Sequence, residues 1–212
     1  MASCTLDSVG TTRTCGVGVG AGRGHPVIEA ELKARVRDPE ALHIRLRELA
    51  RGETSVYRDT YYDEPDGSLT REGRELRLRS IDRSGTRQTL LTYKEPPVDA
   101  ASGSKPEHET EVGDDEAIDM VLRALGAVEH VRLTKHCVNY RFTRRGRDML
   151  ATVVTVPELK GTFVEVETMT NAESVGSALS DVRAVMADLG IDPADFTTEQ
   201  YTNAVIHART LP

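Results

Sequence analysis

Charged and apolar side chains alternate along residues 27–36, which is the pattern of a β-strand with two different faces. Side chains at every second position of a strand point the same way. One face therefore carries Glu29, Glu31, Lys33 and Arg35, and the other carries Ile28, Ala30, Leu32, Ala34 and Val36. A strand normally buries its apolar face, so the row of two carboxylates and two cations on the opposite face needs its own explanation.

Seven further strands and four helices are predicted from the rest of the chain. The strands are expected over 56–63, 75–82, 87–94, 105–112, 128–143, 147–157 and 162–169, with turns and a proline-rich loop between them. The helices are expected over 39–51, from Asp114-Asp115 to Gly126, over 173–189 and over 197–208. Asp38 and Pro39 are typical of a helix start, and Gly126 of a helix stop. The pattern predicts an α+β fold with an antiparallel meander.

Charged side chains keep to one face on most of these strands. Residues such as Leu76 and Phe163 are expected to form the core beneath the helices. The charged face collects Glu75, Arg77, Arg79, Thr92, Lys94, Lys105, Glu107, Glu109, Glu111, Lys135, Arg141, Glu165 and Glu167. Two structures fit this pattern: an open sheet with a solvated charged face, or a closed barrel with a charged interior filled by a ligand. Open sheets of this size tend to curl or pack, which favours the barrel.

The charged face has the chemistry to bind a polyphosphate together with its cations. Glu29 with Glu31, and Glu165 with Glu167, are carboxylate pairs whose hard oxygens suit Mg²⁺ or Mn²⁺. The remaining negative charge would be offset by cations, with arginines able to bind phosphate in a bidentate manner. Those cations are Lys33, Arg77, Arg79, Lys94, Lys135 and Arg141.

Composition limits the remaining classes of function. The 212 residues include 34 acidic and 27 basic side chains, for a net charge of −7, which disfavours a general nucleic-acid binder. Cys4, Cys15 and Cys137 form no metal-binding pattern and fit a reducing compartment. No apolar stretch approaches the ~20 residues of a membrane span. We therefore expect one soluble, cytoplasmic domain over 27–212, with no membrane or nucleic-acid partner.

The order of these motifs resembles the CYTH proteins, or triphosphate tunnel metalloenzymes, which include class IV adenylyl cyclases and thiamine triphosphatases. The similarity covers nearly all of residues 27–205. It is carried by Glu29-x-Glu31-x-Lys33, Leu76-Arg77-Leu78-Arg79, Tyr93-Lys94, the Glu107/Glu109/Glu111 strand, Lys135 and the segment from Gly161 to Glu167. The resemblance implies a closed eight-stranded antiparallel β-barrel with helices packed outside, whose tunnel binds a triphosphate with Mg²⁺ or Mn²⁺.

The resemblance also implies roles for individual residues. Tyr61 and Lys94 would be catalytic, with a lysine of lowered pKa helping the tyrosine to orient or deprotonate water. The alternative for Tyr61 is an ordinary aromatic strand residue. The metal ligands would be Glu29, Glu31, Glu109, Glu111, Glu165 and Glu167. The phosphate contacts would be Lys33, Arg35, Arg77, Arg79, Lys94, Lys135 and Arg141.

Three activities remain open at this stage. The run from Asp59 to Asp63 resembles the thiamine triphosphatase version of the second strand, which favours hydrolysis of ATP, tripolyphosphate or thiamine triphosphate. The alternatives are a class IV adenylyl cyclase, which converts ATP to cyclic AMP and pyrophosphate, and a non-catalytic nucleotide- or polyphosphate-binding module. Cys137 and Val154 stand where many members carry Arg and Asp. Exposed strands and helices also leave room for a homodimer.

Two further interpretations concern side chains and segments outside these roles. Cys137 is expected to be a small wall residue and His108 to face outward. Residues 1–26, rich in Gly, Ser and Thr, are expected to be a flexible extension. Their alternating glycines complete neither a dinucleotide-binding motif nor a P-loop. Because the family signature normally lies close to the N-terminus, translation starting nearer Val27 is a second interpretation.

Overall fold

The computed structural model of the protein describes residues 27–99 and 102–210, so the prediction for residues 1–26 lies outside the described residues. Eight strands close into one antiparallel barrel in the order β1-β5-β4-β3-β2-β6-β7-β8. This confirms the predicted fold. The strands are β1 (Val27–Val36), β2 (Glu53–Asp63), β3 (Glu75–Arg83), β4 (Thr86–Lys94), β5 (Lys105–Glu111), β6 (Val128–Arg144), β7 (Arg147–Thr155) and β8 (Thr162–Thr170).

The register of β1 explains why its charged face lies inside the barrel. β1 pairs with β8 along most of its length and with β5 at its beginning, which closes the cylinder. Glu31 lies opposite Glu167, and Lys33 lies opposite Glu165. Directly opposite residues of an antiparallel pair point to the same side. The charged rows of neighbouring strands therefore converge on the interior, where charge must be paired or matched by a ligand.

The described residues form five helices, which lie outside the barrel or at the ends of its strands. They are α1 (Pro39–Leu49), α2 (Ser68–Arg71), α3 (Asp115–Ala124), α4 (Val175–Asp188) and α5 (Tyr201–Thr210), with a 3₁₀ turn at Pro193–Asp195. α1 begins as predicted, with the Asp38 carboxylate accepting the Ala41 N–H at 3.0 Å. No helix among the described residues has the length and apolar character needed to cross a membrane.

The structure differs from the helix predictions at two places. It contains the short helix α2, which was not predicted and which forms because the Asp63 carboxylate accepts the N–H groups of Leu69 at 2.9 Å and Thr70 at 3.1 Å. The last helix begins at Tyr201 and not at residue 197. Its predicted first turn is extended instead, because the Thr197 N–H is donated to the Lys33 carbonyl of β1 at 2.9 Å.

The main apolar core lies between the barrel and helices α1 and α4. Ala30 and Ala34 of β1 are fully buried there, as are Leu46 of α1 and Val182 of α4. The outer face of β1 therefore packs beneath helices as the alternation predicts. Burial of side chains such as Leu46 and Val182 contributes about 1.5–3 kcal/mol each to folding, which holds the helices against the strand whose other face carries the charged groups.

A second apolar cluster fills one end of the barrel interior. Phe163 belongs to it, and the prediction that Phe163 lies under the outer helices was wrong, because it lies opposite Arg35 on the inward face. The rings of Phe163 and Tyr201 meet edge to face with centroids 5.3 Å apart. Val205, Cys137 and other buried residues complete the cluster. Helix α5 thus packs against an apolar end of the interior, and the charged groups occupy the remainder.

Candidate functional site

An acidic cluster lies where β1 meets β8. Carboxylate oxygens of Glu29, Glu31 and Glu167 all lie within 4.8 Å of one another. Burial together with Glu165 and Glu29 raises the pKa of Glu31 to about 8, and burial with Glu29 and Glu31 also raises the pKa of Glu167. Three converging carboxylates supply the hard oxygen ligands that Mg²⁺ and Mn²⁺ prefer. The donor set therefore fits a divalent cation, which would replace the retained protons.

Lys94 is the cation that, among the described residues, forms an ion pair with a member of this acidic cluster. Its ammonium group contacts the Glu29 carboxylate directly and lies 3.6 Å from Glu107. Burial lowers the pKa of Lys94, but the charges of Glu29 and Glu107 outweigh burial and hold it well above its usual value. The expectation of a lowered lysine pKa was therefore wrong, because carboxylates surround Lys94 more closely than cations do.

Glu107 is an interior residue whose importance the sequence analysis missed. Its side chain is 8% exposed, and its Oε2 atom has no hydrogen-bond partner in the described part of the chain. Burial and the Glu29 charge raise its pKa to about 7. Its position on the same face of β5 as Glu109 and Glu111 could have identified it as an interior carboxylate from the sequence. Glu107 is the member of that row with an unsatisfied, buried carboxylate oxygen.

Glu109 and Glu111 lie farther along the same strand and more in the open. The Glu109 side chain is 38% exposed and accepts a hydrogen bond from the Thr92 hydroxyl at 2.8 Å. Glu111 is exposed and accepts one from the Gln88 amide at 3.1 Å. Neither joins the close carboxylate group formed by the three glutamates of β1 and β8. Their role as metal ligands stays a prediction.

A basic region adjoins the acidic cluster along the interior. The ammonium groups of Lys33 and Lys135 lie over the ring of Tyr201, at 4.5 Å and 4.2 Å from its centroid. Lys135 is 6% exposed and takes part in no ion pair found among residues 27–99 and 102–210. Glu165 belongs with these lysines: burial raises its pKa, but Lys135 and Lys33 together bring it below the usual value. Its role as a metal ligand stays a prediction.

Arg77 and Arg79 differ in how much hydrogen-bonding capacity they retain. Arg79 binds both oxygens of the Asp59 carboxylate at 2.7 Å, and the Asp59 side chain is fully buried. Arg77 donates to Thr92 at 3.2 Å, but its carboxylate neighbours lie 3.8 Å away and its Nε–H has no partner in the described structure. Arg77 therefore keeps free donors for an anion, and Arg79 is largely satisfied by Asp59.

Asp59 is the second interior residue that the sequence analysis missed. Burial raises its pKa, but the charge and hydrogen bonds of Arg79 outweigh burial and hold it well below the usual range. Its carboxylate also lies 3.5 Å from the Tyr61 hydroxyl. Among the described residues, Tyr61 contacts Asp59, and Lys94 contacts Glu29. No contact between Tyr61 and Lys94 is found there, so their predicted catalytic pairing stays a prediction.

Two of the predicted phosphate contacts, Arg35 and Arg141, are more exposed than the others. Arg35 is exposed at the end of β1, where it pairs with Glu199 at 3.2 Å. Arg141 is exposed on β6 opposite Leu150. Arg141 joins none of the ion pairs in the described ranges. Arg35 lies two residues from Lys33 on the same face of β1, and both side chains contact Glu199. The role of Arg35 and Arg141 as phosphate contacts stays a prediction.

The two positions that depart from the family pattern face each other. Cys137 on β6 lies directly opposite Val154 on β7, and both are buried. Burial raises the pKa of the Cys137 thiol to about 12, so the thiol stays protonated and unreactive at neutral pH. This confirms Cys137 as a wall residue. His108 is exposed on the outside, 2.8 Å from Glu95, as predicted.

The raised pKa values predict that cation binding depends on pH. Glu31 retains its proton up to about pH 8 in the empty protein, and a bound cation must displace it. The dissociation constant for Mn²⁺ is therefore expected to fall by at least about tenfold per pH unit between pH 6 and pH 8, because the pKa of Glu167 is raised as well. Isothermal calorimetry in buffers with different protonation enthalpies measures the affinity and the proton release. An affinity that does not change over this range would contradict the assignment.

Comparison with known proteins identifies the relatives of this barrel. The CYTH domain model matches residues 27–201. No curated protein matches the sequence. PH1819 from Pyrococcus horikoshii is 25% identical with a TM-score of 0.75, and the match covers 84% of this chain and 98% of that one.

Two other solved structures share the fold at lower identity. A proposed adenylate cyclase from Vibrio parahaemolyticus is 22% identical with a TM-score of 0.70, over 85% of this chain and 98% of that one. HpAC1 from Hippeastrum, a proposed adenylyl cyclase with dominant triphosphatase activity, is 18% identical with a TM-score of 0.58, over 88% and 98%. Since the family model spans most of the sequence, the chain belongs to the CYTH domain family.

Proposed function

We propose that the protein is a metal-dependent phosphohydrolase that acts on a triphosphate bound inside the barrel. The observation that carries this proposal is the separation of charge within one closed interior. Three carboxylates converge at Glu29, Glu31 and Glu167. Arg77, whose Nε–H has no partner among the described residues, and Lys135, which lies over the Tyr201 ring, line the same interior. Carboxylates hold a divalent cation, and lysine and arginine hold phosphate oxygens.

The same arrangement explains why anion and cation must bind together. A triphosphate alone would be repelled by the acidic cluster at Glu29, Glu31 and Glu167. A divalent cation held by those carboxylates reverses the local charge and presents open coordination positions to phosphate oxygens. Lys33, Lys135 and Arg77 then neutralise the rest of the ligand and its transition state, which is the main requirement of phosphoryl transfer.

Hydrolysis is favoured over cyclisation by the aromatic and acidic residues of β2. The Tyr61 hydroxyl lies beside Asp59 on the inward face, opposite Arg77 of β3. Within the proposal, this hydroxyl orients the attacking water next to the phosphate-binding arginine. The triphosphatase activity named for HpAC1 is consistent with hydrolysis on this fold. An adenylyl cyclase would use the same phosphate contacts with a ribose hydroxyl as the nucleophile.

The direct test is a product assay on three substrates. The protein is incubated with ATP, tripolyphosphate and thiamine triphosphate, each with Mg²⁺ or Mn²⁺, and orthophosphate and cyclic AMP are measured. Metal-dependent release of orthophosphate is the expected result. Cyclic AMP and pyrophosphate without orthophosphate would replace the hydrolase assignment with the cyclase. Tight binding without turnover of any substrate would replace it with a binding module.

Two cations of β6, Lys135 and Arg141, offer a matched test of the phosphate contacts. Replacing Lys135 with Met should raise the KM for tripolyphosphate about 10- to 100-fold, because a charge-assisted hydrogen bond contributes about 1.5–3 kcal/mol. Lys135 joins no close ion pair among the described residues, but its charge supports the buried Glu165 carboxylate, so the melting temperature of the variant is measured alongside its kinetics. Michaelis–Menten kinetics at saturating Mg²⁺ measure the effect.

Arg141→Met is the control, because Arg141 lies on the same strand as Lys135 and its side chain points to the same face. Arg141 is exposed and joins no ion pair among the described residues, so we expect its replacement to change the KM by less than about twofold. If Arg141→Met weakens binding as strongly as Lys135→Met, the phosphates extend farther along the interior than proposed.

A further inference from the structure

Tyr201 occupies an unusual position for the first residue of a surface helix. The residue is 6% exposed, and its ring lies beneath the ammonium groups of both Lys33 and Lys135, at 4.5 Å and 4.2 Å. Its edge packs against Phe163 of β8. A side chain of helix α5 therefore reaches the basic region of the barrel interior, which is otherwise built from strands.

The Tyr201 hydroxyl is buried without a hydrogen-bond partner in the described part of the chain. Burial first and Glu165 second raise the pKa of this hydroxyl, and Glu165 lies close enough to act as a weak acceptor, but their contact lacks the geometry of a normal hydrogen bond. An unsatisfied buried hydroxyl is costly, and native proteins retain such groups for a reason. Here the ring that carries the hydroxyl lies beneath two lysines that attract anions.

The chain before Tyr201 holds this side chain in place. The Glu199 carbonyl accepts a hydrogen bond from the Lys33 ammonium group, and the Gln200 amide donates to Glu75 at 3.1 Å. Upstream, the Thr197 N–H is bonded to the backbone of β1. These contacts tie residues 197–200 to two strands of the barrel. A donor fixed in this way costs little further ordering when a ligand arrives.

We propose that the Tyr201 hydroxyl is a substrate-binding group that donates a hydrogen bond to a phosphoryl oxygen held between Lys33 and Lys135. The inference rests on the proposed triphosphatase function and adds helix α5 to the strands that recognise the ligand. The ring supports the two ammonium groups through cation–π contacts, and the hydroxyl supplies a neutral donor beside them.

The competing role for this hydroxyl is to orient Glu165. In that case its loss would change cation binding and leave the phosphate contacts intact. The two roles are separated by measuring Mn²⁺ affinity without triphosphate and the KM for tripolyphosphate at saturating Mg²⁺. The substitution Tyr201→Phe removes the hydroxyl and keeps the ring beneath both lysines.

Tyr201→Phe is expected to raise the KM for tripolyphosphate at least about tenfold, with kcat changed by less than about twofold. The Mn²⁺ affinity should equal that of the wild type. The melting temperature of the empty protein should be unchanged or higher, because the hydroxyl that is removed has no partner there. An unchanged KM, or a loss of Mn²⁺ affinity in its place, would overturn the proposal.

Tyr140→Phe provides the matched control. The Tyr140 hydroxyl lies outside the barrel interior and is hydrogen-bonded to His43 at 2.8 Å. Its loss should lower the melting temperature and leave the KM for tripolyphosphate unchanged, the opposite pattern to Tyr201→Phe. A wild-type protein that neither binds nor hydrolyses tripolyphosphate would refute the proposed function, and this inference with it. A fully active wild type with an unaffected Tyr201→Phe variant would refute this inference alone.

Discussion

Glu31→Gln is expected to abolish the rise in melting temperature caused by Mn²⁺ and to lower triphosphate hydrolysis about 100-fold or more. Glu31 is central to the acidic cluster, because its carboxylate lies within 4.8 Å of both Glu29 and Glu167. An amide keeps the shape of the side chain but removes the negative charge that a divalent cation needs. Calorimetry with and without Mn²⁺, and an orthophosphate assay, measure the two losses.

The same substitution should stabilise the empty protein. Burial, Glu165 and Glu29 raise the pKa of Glu31 from 4.5 to about 8, so ionisation of this carboxyl is unfavourable in the folded state. A group with a raised pKa loses stabilising effect as pH rises from its unfolded value through its folded value. The advantage of Glu31→Gln over the wild type should therefore be absent near pH 4.5, grow with pH and reach its maximum above pH 8.

Glu165→Gln is the control of opposite sign. Lys135 and Lys33 hold the pKa of Glu165 below its usual value despite burial, so its negative charge stabilises the folded protein. Removing that charge should destabilise the empty protein at neutral pH, whereas Glu31→Gln stabilises it. If both variants destabilise the empty protein, the three glutamates of the cluster do not carry the mutual repulsion that a bound cation would relieve.

The alternation of side chains along the strands predicts much of the fold and most of the residues of the candidate site. Period-two alternation in residues 27–36 and 162–169 is enough to place Glu29, Glu31 and Glu167 on inward faces once the barrel closes. Which of them meet is decided by register, which brings Glu31 opposite Glu167 and leaves Glu165 opposite Lys33. Register depends on the lengths of the loops and on the closure of the barrel, which the alternation does not encode. The sequence pattern therefore does not distinguish Glu165 from Glu29, Glu31 and Glu167, although the structure pairs Glu165 with Lys33.

The segment from Asp59 to Asp63 shows a second limit of the sequence. Both aspartates have the same parity in the sequence, but the register shifts between Tyr61 and Tyr62 where β2 pairs with β6. Asp59 points inward to Arg79, whereas Asp63 caps the short helix α2. A β-bulge redirects the side chains that follow it. Nothing in the local composition distinguishes these two acids.

Helix α5 shows a third limit, because its contribution depends on distant contacts. Helical spacing predicted an amphipathic helix from residue 197, and the first four of those residues are instead tied to β1 and β3. The start of the helix at Tyr201 is what directs this ring to the lysines. Hydrogen bonds between residues more than a hundred positions apart leave no periodic signal in the sequence.

Asp59→Ala is expected to destabilise the protein by about 3–5 kcal/mol, because it leaves a buried guanidinium group without its partner. Arg79 donates two hydrogen bonds of 2.7 Å to this carboxylate, and Arg77 and Lys135 add further positive charge nearby. Urea denaturation at pH 7 measures the loss. The difference from the wild type should shrink as pH falls below about 4, since the carboxylate has a lowered pKa and its contribution is lost on protonation.

Asp82→Ala is the control for an exposed pair on the same two strands. Asp82 of β3 contacts Arg58 of β2, and their side chains are 40% and 55% exposed. Its loss should cost less than about 1 kcal/mol. An equally small loss for Asp59→Ala would mean that solvent or neighbouring groups compensate Arg79.

The unpaired charge in Asp59→Ala also links this prediction to the proposed ligand. Arg79 lies two residues after Arg77 on the inward face of β3. The donors that have no partner in the variant therefore face the basic region of the interior. An anion bound there can take the place of the missing carboxylate, and ligand binding stabilises the folded state in proportion to its affinity. Tripolyphosphate with Mg²⁺ should therefore raise the melting temperature of Asp59→Ala more than that of the wild type. An equal or smaller rise would place the bound triphosphate out of reach of Arg79.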